Sequence, residues 1–371
     1  MTRILFLAFV LPTLLLLRAE DASVAGRIRK IEERWKPAQS LALYKVPGVS
    51  VAVIRDSKLD WAKAYGVKIA GDKHAVDVAT LFQAASISKS VAAVAAMHMV
   101  QFGNFTLDEN VNSKLTAWQV KDNPFTVDAK VTLRGLLSHS AGLTVHGFGG
   151  YEKGKPLPAI TQILNGEKPA NSPPVVVDIV PGTRWRYSGG GYTVVQLMMQ
   201  ERLKKSFADI MQMIVLGKLE MRDSTYAQPL PRALHSRASF GHDKNGRAIK
   251  GDWHTYPEQA AAGLWTTPSD LARFLIEIQK SARGESNKVI EKKTALDMLT
   301  LQKGAYGLGF SLKPEHGGFG HNGSNEGFKC YMHANGRDGI VIMTNGDLGF
   351  KVIEEIVSAI ESEYGWKNFK P

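Results

Sequence analysis

The segment Ser86-Ile87-Ser88-Lys89 places a serine and a lysine three residues apart. That spacing brings both side chains to the same face of a helix. A serine hydroxyl is a weak nucleophile until a base takes its proton, and a lysine buried among apolar side chains has a lowered pKa that suits this task. The N-terminus of a helix also offers unpaired backbone N–H groups that stabilise an oxyanion. So short a motif occurs by chance, but a lysine inside an apolar helix is costly to bury without a role.

Two glycine-rich segments further along the chain carry other candidate side chains. Tyr187 comes shortly before three consecutive glycines, Gly189 to Gly191, and glycines allow a close approach of the backbone. By itself, this segment favours a tight turn around a packed tyrosine. The segment Gly320 to Ser324 reads Gly-His-Asn-Gly-Ser. It predicts either a strand edge that lies against a ligand or a histidine that is satisfied within a turn.

Taken together, the three segments resemble serine β-lactamases and penicillin-binding proteins in their order. Tyr-Ser-Gly follows Ser-x-x-Lys by 101 residues, and His-Asn-Gly comes another 134 residues later. The surrounding sequence is more specific and is similar to the class C β-lactamase superfamily, which includes D-alanyl-D-alanine carboxypeptidases, D-aminopeptidases and β-lactamase-like esterases. The similar blocks are residues 81–89, 136–143, 262–271 and 320–328. The resemblance extends from about Val46 to the end of the sequence.

This resemblance implies an acyl-enzyme mechanism. Ser86 would be the nucleophile, and Lys89 and Tyr187 would share the general-base and proton-relay work. The sequence leaves open which of the two takes the serine proton. The backbone N–H groups of Ser86 and Ser324 would form the oxyanion hole, where each donor lowers the barrier by about 3 to 4 kcal/mol in other enzymes. The resemblance implies no metal and no organic cofactor.

Two departures from the family pattern bear on the substrate. His321, Asn322 and Gly323 stand at the family's Lys-Thr-Gly motif, and the resemblance makes them substrate-binding residues. Since the unperturbed pKa of histidine is near 6.5, we expect carboxylate-bearing substrates to lose affinity as the pH rises through the pKa of His321. Gly189 stands where the family's Tyr-x-Asn motif has an asparagine that holds a substrate amide. Its absence disfavours efficient β-lactam hydrolysis and favours esters or unusual peptides.

Hydrophobic patterns predict the elements that position the first of these residues. Two β-rich runs, Val49 to Ile54 and Leu59 to Tyr65, are joined by four residues that indicate a hairpin. A helix that is apolar on nearly all sides begins at Ser86 and ends at Gly103, so it should be buried. From about residue 108 to residue 200, prolines and glycines predict helices separated by long loops.

The C-terminal part returns to strands. Thr267 to Asp270 forms a capping box that opens a helix. The runs Phe328 to Ala334 and Ile340 to Thr344 predict strands joined by the glycine-containing connection Asn335 to Gly339. The apolar spacing from Val352 to Ile360 indicates a final amphipathic helix.

Strands at both ends with helices between them predict an α+β fold class. The expected architecture is an antiparallel sheet built from the N- and C-terminal segments, flanked by helices and interrupted by a mostly helical region, as in β-lactamases and transpeptidases. We expect one composite catalytic domain over residues 23–371. Its sheet portion would cover about 25–85 and 240–371, and its helical portion about 86–239.

The N-terminus is typical of a leader. Arg3 precedes an apolar run of 14 residues, Ile4 to Leu17, which is too short to span a bilayer and has the length of a secretory h-region. Residues 1–22 are therefore predicted to be a signal peptide with no defined cleavage site, and an uncleaved membrane anchor is the alternative. The mature protein would be periplasmic or secreted, with no stable membrane span, and its single cysteine, Cys330, fits a fold that does not rely on disulfides.

The composition narrows the class of partner. The chain has 371 residues with 46 basic and 35 acidic side chains, a net charge of +11. These charges are scattered and form no basic stripe, which argues against a nucleic-acid partner. With one cysteine there is no cysteine-based zinc site. The expected partner is a small-molecule or peptide substrate, and the sequence predicts no oligomeric state.

Two functions from different classes fit the sequence. The first is an exported serine hydrolase that acts through Ser86 on an ester, an amide or D-amino peptide, or a β-lactam. The second is a penicillin- or muropeptide-binding sensor, or a scaffold, that acylates slowly or does not turn over. The presence of all three catalytic side chains favours the enzyme.

Overall fold

Strands from both ends of the chain build the main sheet. A computed structural model describes residues 24–371. The strands are β1 Gly48–Arg55, β2 Lys58–Gly66, β3 Phe82–Gln83, β4 Trp265–Thr266, β5 Ser311–Lys313, β6 Gly318–Asn325, β7 Phe328–Asn335 and β8 Asp338–Thr344. Six of them form an antiparallel sheet in the order β2-β1-β8-β7-β6-β5, and β3 pairs with β4 in a second, two-stranded sheet. The predicted α+β fold class is confirmed.

The helices flank this sheet and fill the space between its two contributing segments. They are α1 at residues 24–35, α2 Pro37–Tyr44, α3 Ile87–Gln101, α4 Leu133–Leu137, α5 Ile160–Asn165, α6 Gly189–Leu203, α7 Phe207–Met211, α8 Gln259–Ala262, α9 Pro268–Arg283, α10 Lys292–Met298 and α11 Gly349–Tyr364. Short 3-10 or π turns lie at Val111–Lys114, Gln212–Leu216, Arg232–Arg237 and Pro314–His316. Helix α11 lies against β7 and β8, while α9 lies against β1, β2 and β8.

Two hydrophobic cores form because successive side chains of a strand point to opposite faces of the sheet. On β1, Val51 and Val53 belong to the core shared with α1, α2 and α11, whereas Ala52 and Ile54 belong to the core shared with α3 and α9. All four side chains are buried. The sheet is therefore covered on both faces, and the second core extends into the helical region that carries the candidate residues.

The hairpin and the helices predicted around the candidate residues are confirmed. The connection between β1 and β2 places Asp56 and Ser57 in the left-handed region, with φ values of 51° and 58°, as a tight two-residue hairpin turn requires. Helix α3 begins directly after Ser86, and Gly103 follows it with a φ of 72°. The hydroxyl of Thr267 accepts a hydrogen bond from the Asp270 N–H at 3.2 Å and caps α9.

The C-terminal hairpin is tighter than the sequence predicted. Asn335 pairs directly with Asp338, so the connection shrinks from five residues to Gly336 and Arg337. Backbone hydrogen bonds between β7 and β8 continue past the apolar runs and include polar residues. The apolar pattern in the sequence therefore underestimates the length of both strands. Gly336 has a φ of 60°, a left-handed conformation that glycine adopts without steric cost.

The predicted signal peptide, residues 1–22, lies outside the described residues. Within residues 24–371, no helix is both long and apolar enough to cross a membrane.

Candidate active site

Ser86 lies at the point where β3 gives way to helix α3. Ala85, just before it, has a φ of 49°, a left-handed conformation that costs a non-glycine residue about 1 to 2 kcal/mol. This sharp turn places Ser86 at the N-terminus of α3, where the residue is half-buried. The N–H groups of the first turn of α3 are already paired: those of Ile87, Ser88 and Lys89 donate hydrogen bonds to the carbonyl oxygens of Ala84, Ala85 and Ser86.

Lys89 contacts Ser86 from one turn further along α3. Its side chain is 2% exposed, and its Nζ lies 3.1 Å from the Ser86 Oγ and 2.7 Å from the carbonyl oxygen of Ala261. Burial lowers the pKa of Lys89 to about 7, because the desolvated ammonium is less stable than the neutral amine. At neutral pH, a large fraction of Lys89 is therefore able to accept a proton.

Tyr187 lies opposite Lys89, directly before the N-cap of helix α6. The Ser188 hydroxyl caps α6 by accepting a hydrogen bond from the Gly191 N–H at 3.0 Å. The Lys89 Nζ lies 5.0 Å from the centre of the Tyr187 ring, and the Tyr187 hydroxyl is within hydrogen-bonding reach of Ser86. Burial raises the pKa of Tyr187, so its hydroxyl keeps its proton at neutral pH.

Strand β6 forms the facing wall of the site. Among the described strands, β5 pairs with β6 only from Gly318 to Gly320, which leaves the outer edge of β6 from His321 to Asn325 open to a ligand. Gly323 allows this edge to approach the nucleophile, since a Cβ at this position would lie 2.4 Å from the carbonyl oxygen of Ala84. The backbone of Ser324 follows directly, in the wall of the same pocket as Ser86.

His321 is buried in this wall, where its surroundings disfavour the charged ring. Its side chain is 7% exposed, and its Nδ1 lies 2.5 Å from the carbonyl oxygen of Asn322. Because a carbonyl oxygen only accepts, Nδ1 must carry the proton, and Nε2 of the neutral ring is then an acceptor. Burial, and next the charge of Lys89, lower the pKa of His321 to about 3. With this pKa, any pH-dependent loss of carboxylate affinity through His321 would fall well below pH 6.5, and the loss itself stays a prediction.

The residue that holds Tyr187 in place was not singled out from the sequence. His139 is 1% exposed, and its ring centre lies 4.2 Å from that of Tyr187. Its Nδ1 accepts a hydrogen bond from the backbone N–H of Ser188 at 3.1 Å, so the ring is fixed against the segment that carries Tyr187. The family-like block at residues 136–143 contained this histidine, but no spacing within the block pointed to Tyr187.

The loop that contains His146 and Phe148 packs against Gly189, the position at which the family motif has an asparagine. A Cβ at this position would lie 3.1 Å from the carbonyl oxygen of His146 and 3.1 Å from the ring of Phe148. Both of these residues line the pocket around Ser86. The His146 carbonyl accepts a hydrogen bond from the Gly189 N–H at 3.0 Å, so atoms of this loop fill the space that a side chain at Gly189 would need.

These residues enclose a pocket of about 390 Å³. Every site residue predicted from the sequence contributes to its walls: Ser86, Lys89, Tyr187, His321, Asn322, Gly323 and Ser324. Eight further lining residues were not predicted as site residues: His146, Gly147, Phe148, Trp185, Ala261, Ala262, Asn325 and Phe350. Within residues 24–371, no group of three or more His, Cys, Asp or Glu side chains is placed to hold a metal ion.

Cys330 lies behind the pocket, on β7. Its Sγ donates a hydrogen bond to the carbonyl oxygen of Gln83 at 3.1 Å, and its side chain is fully buried. Burial raises the pKa of this thiol to about 12. The thiol therefore ties β7 to the strand that leads into Ser86 and stays protonated.

Relatives in sequence cover most of the chain. A family profile described as Beta-lactamase matches residues 28–353. Penicillin-binding protein 4 of Amycolatopsis lactamdurans is 24% identical over 348 residues, which cover 86% of each chain. Protein flp of Staphylococcus aureus strain N315 is 20% identical over 327 residues, which cover 86% of this chain and 63% of that relative.

Solved structures show the same fold. An octameric penicillin-binding protein homologue from Pyrococcus abyssi superimposes with a TM-score of 0.71 at 21% identity, covering 92% of this chain and 78% of that one. D-alanine carboxypeptidase AmpC from Burkholderia cenocepacia superimposes with a TM-score of 0.68 at 19% identity, covering 92% and 99%. With a shared antiparallel sheet, flanking helices and a family match over residues 28–353, the chain belongs to the beta-lactamase family.

Proposed function

We propose that this chain is an exported serine hydrolase that cleaves an ester or amide carbonyl through an acyl-enzyme on Ser86. One observation carries the proposal: the buried Lys89 amine, with a pKa lowered to about 7, lies 3.1 Å from the Ser86 hydroxyl in an accessible pocket. A neutral amine at this distance is a general base for that hydroxyl. The apolar leader supports export.

In the acylation step, Lys89 is the base. When the amine is neutral, one N–H stays on the carbonyl oxygen of Ala261 and the lone pair faces the Ser86 hydroxyl. The Ser86 Oγ attacks the substrate carbonyl carbon while its proton passes to Lys89. The backbone N–H groups of Ser86 and Ser324 hold the resulting oxyanion.

In the second half of acylation, Tyr187 is the proton donor. Its raised pKa keeps the hydroxyl protonated until the leaving atom needs a proton. As the carbon–leaving-atom bond breaks, Tyr187 gives up its proton and regains one from the Lys89 ammonium. Water then attacks the acyl carbon while Lys89 takes a proton from it. As the bond between the Ser86 Oγ and the acyl carbon breaks, Lys89 returns that proton to Oγ, and the acid leaves.

The walls of the pocket favour an uncharged substrate. His321 supplies a neutral acceptor where the family has a lysine cation, so a substrate carboxylate finds no counter-charge from this residue. The loop against Gly189 replaces the amide that would hold a β-lactam side chain. An ester, or a D-amino peptide whose carboxylate lies elsewhere, fits these walls better than a penicillin.

Intact-mass measurement tests the proposal. The protein is incubated separately with 4-nitrophenyl acetate, benzylpenicillin and a D-alanyl-D-alanine peptide and is weighed over time. We expect a transient acyl mass with the ester that is absent in Ser86→Ala and that still forms in Ser324→Ala, which removes the other serine hydroxyl of the pocket.

The other outcomes distinguish the second candidate. An acyl mass that forms on Ser86 and persists would indicate a sensor rather than an enzyme. No acyl mass with any of the three probes would contradict both acylation hypotheses and leave a scaffold role.

A further inference from the structure

The two N–H groups of the proposed oxyanion hole belong to segments that do not pair with each other. Ser86 follows β3, which pairs with β4, whereas Ser324 lies on β6, which pairs with β5 and β7. Within residues 24–371, no backbone hydrogen bond joins residues 82–89 to β6. The backbone pairing of a sheet therefore does not fix the distance between these two donors, and other contacts must do so.

One side-chain hydrogen bond joins the two segments directly. The Asn325 Nδ2 donates to the Gln83 Oε1 at 2.8 Å, and in the part of the chain that the structure describes, no other hydrogen bond connects residues 82–89 with β6. Gln83 lies three residues before Ser86, and Asn325 directly follows Ser324. The bond therefore connects the short segments that carry the two oxyanion donors.

Two further hydrogen bonds fix the orientation of both amides. The Asn325 Nδ2 also donates to the carbonyl oxygen of Ala262 at 3.2 Å, and the Gln83 Nε2 donates to the carbonyl oxygen of His254 at 2.7 Å. An exchange of oxygen and nitrogen in either amide would set two acceptors against each other. Both side chains are buried, and hydrogen bonds are stronger in such low-dielectric surroundings than in water.

The Asn325 amide also contacts the segment that holds the base. Ala262 directly follows Ala261, whose carbonyl oxygen accepts a hydrogen bond from the Lys89 Nζ at 2.7 Å. One amide group is therefore bonded both to the segment before the nucleophile and to the residue next to the partner of the base.

Steric contact and hydrogen bonding act on β6 in opposite directions. A Cβ at Gly323 would lie 2.4 Å from the carbonyl oxygen of Ala84, so the strand is already in close contact with the segment before Ser86. Such a contact prevents a closer approach, but it resists separation only weakly because the dispersion attraction between two atoms is small. The hydrogen bond between Asn325 and Gln83 supplies the resistance to separation.

We propose that Gln83 and Asn325 are positioning residues that set the separation of the Ser86 and Ser324 N–H groups. An oxyanion hole requires both donors at hydrogen-bonding distance from one oxygen, so a wider separation weakens the stabilisation of the transition state. The inference rests on the proposed function, because it concerns the oxyanion hole of that reaction. Loss of the side-chain hydrogen bond should slow acylation without weakening the binding of the substrate.

Asn325→Leu removes this hydrogen bond at a similar side-chain volume, and stopped-flow kinetics with 4-nitrophenyl acetate measures the result. We expect the acylation rate at saturating ester to fall about tenfold, a fraction of the roughly 10²- to 10³-fold loss that follows removal of a whole oxyanion donor. The half-saturating concentration should stay near its original value. Because Asn325 lines the pocket, a rise in that concentration without a slower acylation would indicate direct substrate contact and overturn the inference.

Gln279→Leu is the matched control. Gln279 is also a buried amide, and its Nε2 donates to the carbonyl oxygen of Asp338 at 2.8 Å, outside the pocket. The control should lose stability but keep its acylation rate, measured well below the Tm of each variant. An equal loss of rate in Gln279→Leu, or an unchanged rate in Asn325→Leu, would contradict a positioning role.

A double-mutant cycle tests whether the two side chains act through their shared bond. Gln83→Met removes the acceptor and should slow acylation by a similar factor, which also repeats the test from the other partner. The double variant should lose little more than either single variant, because both changes break the same interaction. Losses that multiply would show that the side chains act separately and would overturn the inference.

Crystal structures of the original protein and of Asn325→Leu separate failure of this inference from failure of the proposed function. We expect the backbone nitrogens of Ser86 and Ser324 to lie further apart in the variant. If they do, and no probe acylates the original protein, the proposed function fails alone. If the two nitrogens keep their separation, the inference is overturned even though Ser86 is acylated.

Discussion

Two buried basic side chains face the same pocket from different elements, and burial acts on them with different results. Lys89, at the start of α3, has a pKa lowered to about 7 and remains close to its protonation midpoint. His321, on β6, has a pKa lowered to about 3 and is neutral throughout the neutral range. The direction of the shift is the same, because desolvation disfavours both cations.

The starting pKa decides the consequence. A lysine amine has an unperturbed pKa near 10.4, so a lowered pKa makes it a base at neutral pH. A histidine has an unperturbed pKa near 6.5, so the same kind of shift leaves the imidazole uncharged at neutral pH. The Lys89 charge adds to the second shift. One side of the pocket is thereby assigned to proton transfer and the other to uncharged substrate contact. Four experiments test this contrast.

Removal of the amine should have the largest effect. Lys89→Met keeps the length of the side chain but leaves the Ser86 hydroxyl without its base, so we expect the acylation rate to fall about 10³-fold, within the range for a lost general base. Stopped-flow kinetics with 4-nitrophenyl acetate measures it. Because the variant no longer buries an amine, its Tm should equal or exceed that of the original chain. A loss under tenfold would show that Tyr187 is the base.

Moving the two walls apart should have the next largest effect. Gly323→Ala sets a Cβ 2.4 Å from the Ala84 carbonyl, so β6 must shift away from Ser86 and misplace the oxyanion hole. We expect kcat/KM to fall about 10²-fold, as for an ångström of misplacement. Gly26→Ala, where a Cβ meets nothing within 4 Å, is the matched control. Equal kinetics in the two variants would contradict the close approach of the walls.

Restoring the family's cation should change the preference for charge. His321→Lys places an ammonium where a neutral ring stood, so the ratio of kcat/KM for 4-nitrophenyl hydrogen glutarate to that for 4-nitrophenyl butyrate should rise about tenfold, a modest Coulombic gain at a partly solvated site. His321→Gln keeps the position uncharged and should leave the ratio near its original value. A similar rise in both variants would mean that the charge of the side chain is not the cause.

The pH profile should show the smallest but most direct effect. Acylation should increase as the pH rises through about 7, because Lys89 must lose its proton to act as a base, and it should level off above that pH. Because Lys89 loses its charge over the same range, the KM for the anionic ester is compared with that of His321→Gln from pH 5 to 8. The two profiles should coincide, since burial lowers the pKa of His321 to about 3. A KM that rises between pH 6 and 7 in the original protein but not in His321→Gln would indicate a charged His321 and would reverse the contrast.

The sequence predicted the elements and residues whose signals are local. The start of α3, the β1–β2 hairpin and the cap of α9 at Thr267 follow from short-range patterns of apolar, capping and turn residues. The residues of the three segments were identified because their order along the chain resembles that of a known family. This comparison of order needs no knowledge of their positions in space. The structure brings these segments into one pocket.

What the sequence could not predict depends on distant contacts. The charge state of His321 depends on burial beside Lys89, which no local pattern of histidine reveals. The support of Tyr187 by His139 and the filling of the space at Gly189 by Phe148 join segments whose spacing carries no signal. A second cavity beside the pocket likewise combines residues from β5, β7 and the segment before α6.

The buried thiol of Cys330 gives the molecule an internal reporter. It is the one cysteine in the sequence, and it stays unreactive because the thiolate, not the thiol, attacks alkylating reagents. Modification by a maleimide must therefore wait for β7 to separate from the strand that leads to Ser86. The labelling rate therefore measures how often β7 separates from β3, directly behind the nucleophile. A ligand bound in the active-site pocket should lower this labelling rate.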